Sequence, residues 1–191
     1  MARKDPLYEY RDKRDFRRSP EPKGRRARAA KEPRFVIQKH DATSLHYDFR
    51  LEAGGVLKSW AVPKGPSTDP RKKRLAMRTE DHPLAYADFE GAIPEGEYGA
   101  GTVIVWDAGS YRNLGDEPVE RMLEHGHATV WLEGSKLRGG YALTRIGMGK
   151  RERWLLVKMD DEGADRRRNP VSSQPESVLS GKTIQEVAKQ G

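Results

Sequence analysis

With 191 residues, 35% hydrophobic and 34% charged, the chain is long enough for one domain with a substantial core and polar ends, and too short for more than two very small domains. It has no cysteine, which excludes disulfides and thiolate ligands and leaves nitrogen and oxygen donors for any metal. The net charge of +7 lies almost wholly in residues 1–33, where 12 Lys or Arg stand against 6 Asp or Glu; residues 34–191 hold 24 against 23. Such a basic arm attracts polyanions with salt-dependent affinity, the plainer alternative being a solvated arm without a specific partner. No segment approaches a membrane span and no apolar run follows the basic start, so no membrane partner is expected and a soluble cytoplasmic protein is the default.

Along the chain, a basic arm over 1–33 reads mostly as loop, with a short helix possible over Leu7 to Phe16. Short strands then follow: Arg34 to Gln38, Leu45 to Glu52, Val56 to Val62, Leu75 to Arg78, Thr102 to Trp106, Ser110 to Asn113, Ala128 to Glu133, Leu137 to Ile146 and Trp154 to Met159. Ala53-Gly54-Gly55 and Gly134-Ser135 sit where hairpin turns need positive φ. Glu117 to His125 is the best internal helix, stopped by Gly126. The pattern is mainly β, and closing the sheet into a barrel of about eight strands, with a few short helices outside, would remove its edges. The barrel core is expected over 34–160, and 161–191 reads as a linker-like tail whose Thr183 and Glu186 are spaced as a capping box.

The chemistry concentrates in Gln38-Lys39-His40-Asp41-Ala42-Thr43-Ser44-Leu45-His46-Tyr47-Asp48-Phe49-Arg50. On a strand, period two sends His46, Asp48 and Arg50 to one face and Tyr47, Phe49 and Leu51 to the other. His40, His46 and Asp48 make a nitrogen and oxygen ligand set of the kind that holds Mn²⁺, Fe²⁺ or Zn²⁺ with positions left open; the alternative is three ordinary strand-end polar residues. Arg50, on the same face, suits bidentate pairing with a phosphate, or a salt bridge to Glu80 or Glu52. Lys64 and Arg74 flank a Pro- and Lys-rich loop that suits a nucleic-acid backbone or plain solvent. In Glu80-Asp81-His82-Pro83-Leu84-Ala85-Tyr86, extended backbone puts Glu80 and His82 on one face, where the carboxylate would orient the imidazole. The run Gly91 to Gly101 lacks a Gly-Lys-Ser/Thr ending and reads as tight turns. His125 and His127, at a helix end, suit a surface role.

QKHDATSLHYDFRLE (38–52), WAVPKGP (60–66), EDHPLAY (80–86), FEGAIPEGEYGAG (89–101) and VIVWD (103–107) together resemble the 3′-phosphoesterase domain of bacterial DNA ligase D, from about Tyr8 to Val187. The resemblance implies a β-barrel enzyme, manganese-dependent by preference, that heals DNA 3′ ends in double-strand break repair by non-homologous end joining. It would remove a 3′-terminal ribonucleoside and then the remaining 3′-phosphate. It implies metal ligation by His40, His46 and Asp48; phosphate binding by Arg50 and His82, with His82 a general acid or transition-state stabiliser; and further active-site positions at Lys64, Arg74, Glu80, Tyr86 and Ser59. In the arm, Arg14, Asp15 and Glu21 would reach the site. Expected partners are a DNA primer-template, ligase and polymerase domains or a Ku-type protein, with the chain itself monomeric. The runner-up is a noncatalytic nucleic-acid-binding barrel that recruits repair partners; it has no need of a His, His, Asp trio beside an Arg and a His.

Overall fold

Alternation along the chain builds the wall that carries everything else. In the computed structural model, which describes residues 4–28 and 31–191, the first four strands are β1 (Arg34–Asp41), β2 (Leu45–Ala53), β3 (Val56–Val62) and β4 (Lys73–His82). Phe35, Ile37, Tyr47, Phe49, Leu51, Trp60, Val62 and Ala76 project from them into one apolar interior. That interior is closed from the far side by β6 (Gly101–Asn113), β7 (His127–Gly134), β8 (Arg138–Gly147) and β9 (Arg153–Lys158), which add Trp106, Val130, Leu132, Tyr141 and Trp154. Edge-on aromatic pairs, Trp60 with Trp154 at 5.6 Å and Tyr47 with Trp106 at 5.5 Å, fill it; Trp154 and Trp106 Nε1 donate to Glu152 Oε2 and Gln174 O, while the buried Trp60 Nε1 has no partner among the described residues.

The strands run β1-β2-β3-β4-β9-β8-β7-β6, and β6 pairs back onto β1, so eight antiparallel strands close into the expected barrel. The short strand β5 (Gly91–Ile93) pairs with the start of β6 outside this ring. Two strands expected from sequence, Thr102 to Trp106 and Ser110 to Asn113, are one: β1 pairs along β6 from Asp41 opposite Thr102 to Arg34 opposite Ser110, and a bulge at Ile37 and Gln38 absorbs the irregularity. β4 is longer than expected because β9 pairs with its first half and β3 with its second. The β2–β3 turn uses Gly54 and Gly55 at φ of 64° and 78°, as expected. Gly134 does not adopt positive φ; that corner is held instead by Gly134 N–H to Leu137 O and by the Asp107 carboxylate, which accepts from the backbone N–H groups of Ser135, Lys136 and Leu137.

Both chain ends differ from a free arm and a free linker. Of the arm expected over 1–33, residues 1–3 and 29–30 lie outside the described residues. The rest carries α1 (Tyr8–Asp12) and inserts Leu7 and Tyr10, both fully buried, against the outer face of the wall. Tyr10 packs there with Val36, Leu57, Tyr86, Phe89 and Val103 in a second apolar cluster. The internal helix is α2 (Val119–Glu124), and the tail adds α3 (Pro170–Ser173) and α4 (Ile184–Ala188). The tail is fastened by Trp106 Nε1–H to Gln174 O at 2.8 Å, by Val178 N–H to Val105 O at 2.9 Å, and by Ile184 and Val187 packed on Ile104. Composition hides this docking because most of its hydrogen bonds run from barrel side chains to carbonyls of the tail's main chain. The Thr183 and Glu186 capping box forms as spaced.

Candidate metal centre and anion cleft

The outer face of β1 to β4 is polar where the inner face is apolar, a direct result of the period-two pattern. His40 on β1 lies opposite His46 on β2, and Asp48 follows two residues on. The Asp48 Oδ2 atom is 3.2 Å from His46 Nε2 and 3.5 Å from His40 Nδ1, and one ligand atom from each residue falls within 4.8 Å of the others. The second nitrogen of each ring is already committed: His40 Nε2 contacts Gly99 O at 2.7 Å and His46 Nδ1 contacts Ser44 O at 3.0 Å. Backbone carbonyls accept from those N–H groups, so in the neutral rings His40 Nδ1 and His46 Nε2 carry the lone pairs and turn them toward Asp48, which fits a divalent metal held by two imidazoles and a carboxylate. Burial alone would raise the Asp48 pKa, but the Arg50 guanidinium and the contacts with both imidazoles outweigh it and hold the carboxylate well below its usual range. The same Asp48 contacts outweigh burial at His46 and raise its pKa.

Beside this trio sits a cationic pair around one imidazole. Arg50 is almost fully buried; its Nε donates to Gln38 Oε1 at 2.7 Å and its Nη1 lies 3.2 Å from His82 Nδ1. His82 Nδ1 is also 2.9 Å from Glu80 O, a carbonyl that can only accept, so Nδ1 carries the proton and Nε2 has the lone pair. Arg14 Nη2 approaches that Nε2 at 3.4 Å. Burial first, then the charges of Arg50 and Arg14, drive the His82 pKa well below its usual value, so the imidazole is neutral while the cleft holds no anion.

Arg14 reaches the site because the arm folds back. Its Nε donates to Glu21 Oε2 at 2.9 Å and its Nη1 to Glu80 Oε1 at 3.2 Å, while Glu21 also accepts from Tyr86 Oη at 2.7 Å and Ser19 Oγ at 2.8 Å. Tyr86 comes from a 3₁₀ turn, Leu84–Asp88, and its hydroxyl is held protonated by burial and by the neighbouring Glu21 charge. Gly24, at φ of 57°, lets the arm pass against Pro83 at the start of that turn, where a Cβ has no room.

The trio, Arg14, Arg50, Glu80, His82 and Tyr86 line one cleft of about 360 Å³. One expected role is corrected, and the other expected residues fall in different places. The Glu80 carboxylate binds Arg14, and Lys13 at 3.4 Å, and it is the backbone carbonyl of Glu80 that orients His82. Asp15 pairs with Arg17 at 3.0 Å and does not line the cleft. Lys64 is exposed on its loop and Arg74, whose buried Nε has no partner among the described residues, does not line the cleft, while Ser59 is buried on the outer face directly opposite Arg50, donating to Leu57 O at 3.0 Å. The sequence reading assigned no role to Gln38, which ties Arg50 to the Tyr86 and Phe89 carbonyls, nor to Leu45, Tyr98 and Arg151, which line the cleft. A strand glutamine one alternation from His40 was a readable signal; Arg151 arrives from the distant β8–β9 loop and left none.

A closed β-barrel bearing a metal-competent His, His, Asp trio on its outer wall, next to two guanidiniums that flank a neutral imidazole, defines a class of candidate anion-handling barrels. Comparison with known proteins narrows this. The family model described as the DNA ligase D 3′-phosphoesterase domain matches residues 38–145, and the chain belongs to that family. It is 53% identical over 189 residues to a multifunctional non-homologous end joining protein LigD of Pseudomonas aeruginosa, a match covering 96% of this chain and 22% of that protein. It is 40% identical over 191 residues to the LigD of Mycolicibacterium smegmatis, covering 97% of this chain and 24% of that one. The multifunctional non-homologous end joining DNA repair protein LigD of Mycobacterium tuberculosis is 45% identical over 161 residues, covering 83% of this chain and 20% of that protein. The chain thus spans about a fifth to a quarter of the length of these relatives. Among the described residues, no helix is long and apolar enough to cross a membrane.

Proposed function

We propose that the chain is a metal-dependent DNA 3′-end-healing phosphoesterase that acts in non-homologous end joining, removing a 3′-terminal ribonucleoside and then the 3′-phosphate left behind. Family membership supports the phosphoesterase class, and the observation that carries the reading is the single cleft in which the trio, Arg50, Arg14 and His82 converge. When bound by His40, His46 and Asp48, a divalent ion, Mn²⁺ in this proposal, supplies Lewis-acid stabilisation of phosphate charge.

The protein's own groups do the rest. Arg50, fixed by Gln38, presents its remaining guanidinium N–H groups to the phosphate, and Arg14, fixed by Glu21 and Glu80, does so from the arm side. Their mutual repulsion and their joint suppression of His82 protonation are relieved when a phosphate arrives. His82 Nε2 then takes up a proton and either stabilises the developing charge or delivers the proton to the leaving oxygen. Water is the candidate nucleophile in both steps: its oxygen bonds to phosphorus as the bond to the 5′-oxygen of the terminal ribonucleoside breaks, leaving a 3′-phosphate, and then as the bond to the 3′-oxygen breaks, releasing inorganic phosphate and a 3′-hydroxyl. Tyr86 and Glu21 hold Arg14 in place beneath the cleft. Ligase and polymerase domains and a Ku-type end-binding protein are the proposed partners.

The test is conversion of a labelled primer-template with a 3′-terminal ribonucleotide in the presence of Mn²⁺, comparing wild type with His40→Ala and His82→Ala. Stepwise appearance of a 3′-phosphate and then a 3′-hydroxyl, lost in both variants, is the expected result. Salt-sensitive binding without turnover under any divalent ion would overturn it and leave the noncatalytic DNA-binding barrel.

A further inference from the structure

Phosphate chemistry accounts for only one end of the cleft. Its other walls are apolar: Ala61 and Met77 from the barrel wall, Ile93 from β5, Leu45 from the β1–β2 corner and Tyr98 from the turn before β6. Leu45 and Tyr98 stay 46% and 39% exposed, whereas Val36, Leu57 and Val103 on the same side of the barrel are buried with the arm and the 3₁₀ turn. Burying a side chain of this size is worth roughly 1.5–3 kcal/mol, so leaving both at the mouth of a catalytic cleft forgoes stability that a ligand can recover. The Tyr98 ring is also fixed rather than loose: Lys13 Nζ and Arg14 Cζ stand 4.9 and 5.3 Å from its centre, and the next residue, Gly99, gives its carbonyl to His40. An aromatic plane is thereby tied in sequence to a trio residue and in space to the phosphate-side arginine.

We propose that Tyr98, with Leu45 as the facing apolar wall, is the stacking platform for the terminal nucleobase of the strand whose 3′ end is processed. This rests on the phosphoesterase reading and adds its specificity: the occupant carries a phosphate at one end and a flat apolar body at the other. A bare sugar phosphate matches only the first half of that description. Stacking is tolerant of base identity because every base offers a π face, so the platform reads the presence of a base and not its sequence. It also makes the arm part of substrate recognition twice over, through Arg14 on the phosphate and through the cations that steady the ring.

The experiment uses primer-templates that end in a 3′-phosphate on either an ordinary nucleotide or an abasic analogue, with wild type, Tyr98→Ala and Tyr98→Phe. Tyr98→Ala is expected to raise KM about 5- to 100-fold on the ordinary end, with a much smaller change in kcat, and to leave the abasic end at the wild-type value; Tyr98→Phe should resemble wild type on both. Equal losses of Tyr98→Ala on both ends would show that the ring only steadies Lys13 and Arg14, and no loss on either would also overturn the platform. The same DNAs are followed by fluorescence anisotropy. If wild type fails to turn over either end, the phosphoesterase reading fails, while a base-dependent weakening of binding in Tyr98→Ala would still support the platform and its absence would sink it.

Discussion

Phe49 and Arg50 are neighbours on β2, yet they live under opposite rules. Phe49 faces an aromatic interior, its ring 6.1 Å from that of Trp60, while Arg50 faces Gln38, Asp48 and His82 beneath a folded-back arm. The inner face of the wall is held by packing and is indifferent to chemistry. The outer face places charges together at a cost that an anion and a metal would offset in the proposed function. One strand thus separates stability from function by a single residue step, and this separation can be probed directly.

The largest effects should split cleanly between the two faces. Phe49→Ala is expected to destabilise by about 3–5 kcal/mol in urea melts while leaving turnover per folded molecule near wild type. His82→Ala should lower turnover by roughly 10²- to 10⁴-fold with little change in the melt. A His82→Ala protein that also unfolds easily would mean the outer face carries structural weight that the geometry does not suggest.

A smaller effect sharpens the role of the arm. Glu21 is the acceptor for Arg14, Tyr86 and Ser19, so Glu21→Gln should cost about 1–3 kcal/mol and weaken substrate binding through a displaced Arg14. Titration by melts against salt, with turnover measured in parallel, separates the two consequences.

The neutral state of His82 offers a spectroscopic check. In the anion-free protein its pKa lies well below the usual value because of burial and then of Arg50 and Arg14, and adding inorganic phosphate should raise it as those charges are compensated. Imidazole NMR titration with and without phosphate reads this directly; a pKa unmoved by phosphate would remove His82 from the anion site. For stability the sign follows from proton counting. Below the unfolded value the unfolded chain binds a proton that folded His82 refuses, so this residue makes stability fall as pH drops, and His82→Gln should flatten that fall.

The smallest effect comes from the inner end of the barrel. Lys136 lies over the Trp106 ring, with its pKa pushed down to about 8 by burial. From about pH 8 up to the ordinary lysine value near 10.4, the unfolded chain keeps a proton that the folded one sheds, so stability from this residue rises with pH. Thermal melts of Lys136→Met against wild type over pH 8–10 should show the slope reduced in the variant.

What could be read from sequence follows the same division. The barrel and the faces of β2 were legible because alternation is local, and so were His40, His46, Asp48 and Arg50, which crowd into two paired strands. The continuity of β6 was not, because Ala108 and Gly109 look like a break until β1 is laid beside them. The docking of the tail rests largely on tail carbonyls that accept from barrel side chains such as Trp106 and Thr68, and carbonyls leave no mark on composition. Glu80 illustrates a subtler limit: its face was legible from alternation, but its partner was set by a guanidinium 66 positions away in the chain.

Ring closure has a bearing on how the molecule assembles and breathes. The barrel is sealed only when β1 meets β6 and β4 meets β9, with Lys73 opposite Val157, so its formation waits on contacts between distant parts of the chain and belongs to the slower, millisecond-to-second regime. The arm shares no strand with that ring and docks on its finished surface. Amide hydrogens of α1 should therefore exchange through local opening at a lower free energy than those of β2, and each such opening withdraws Arg14 and bares the anion cleft without unfolding the barrel.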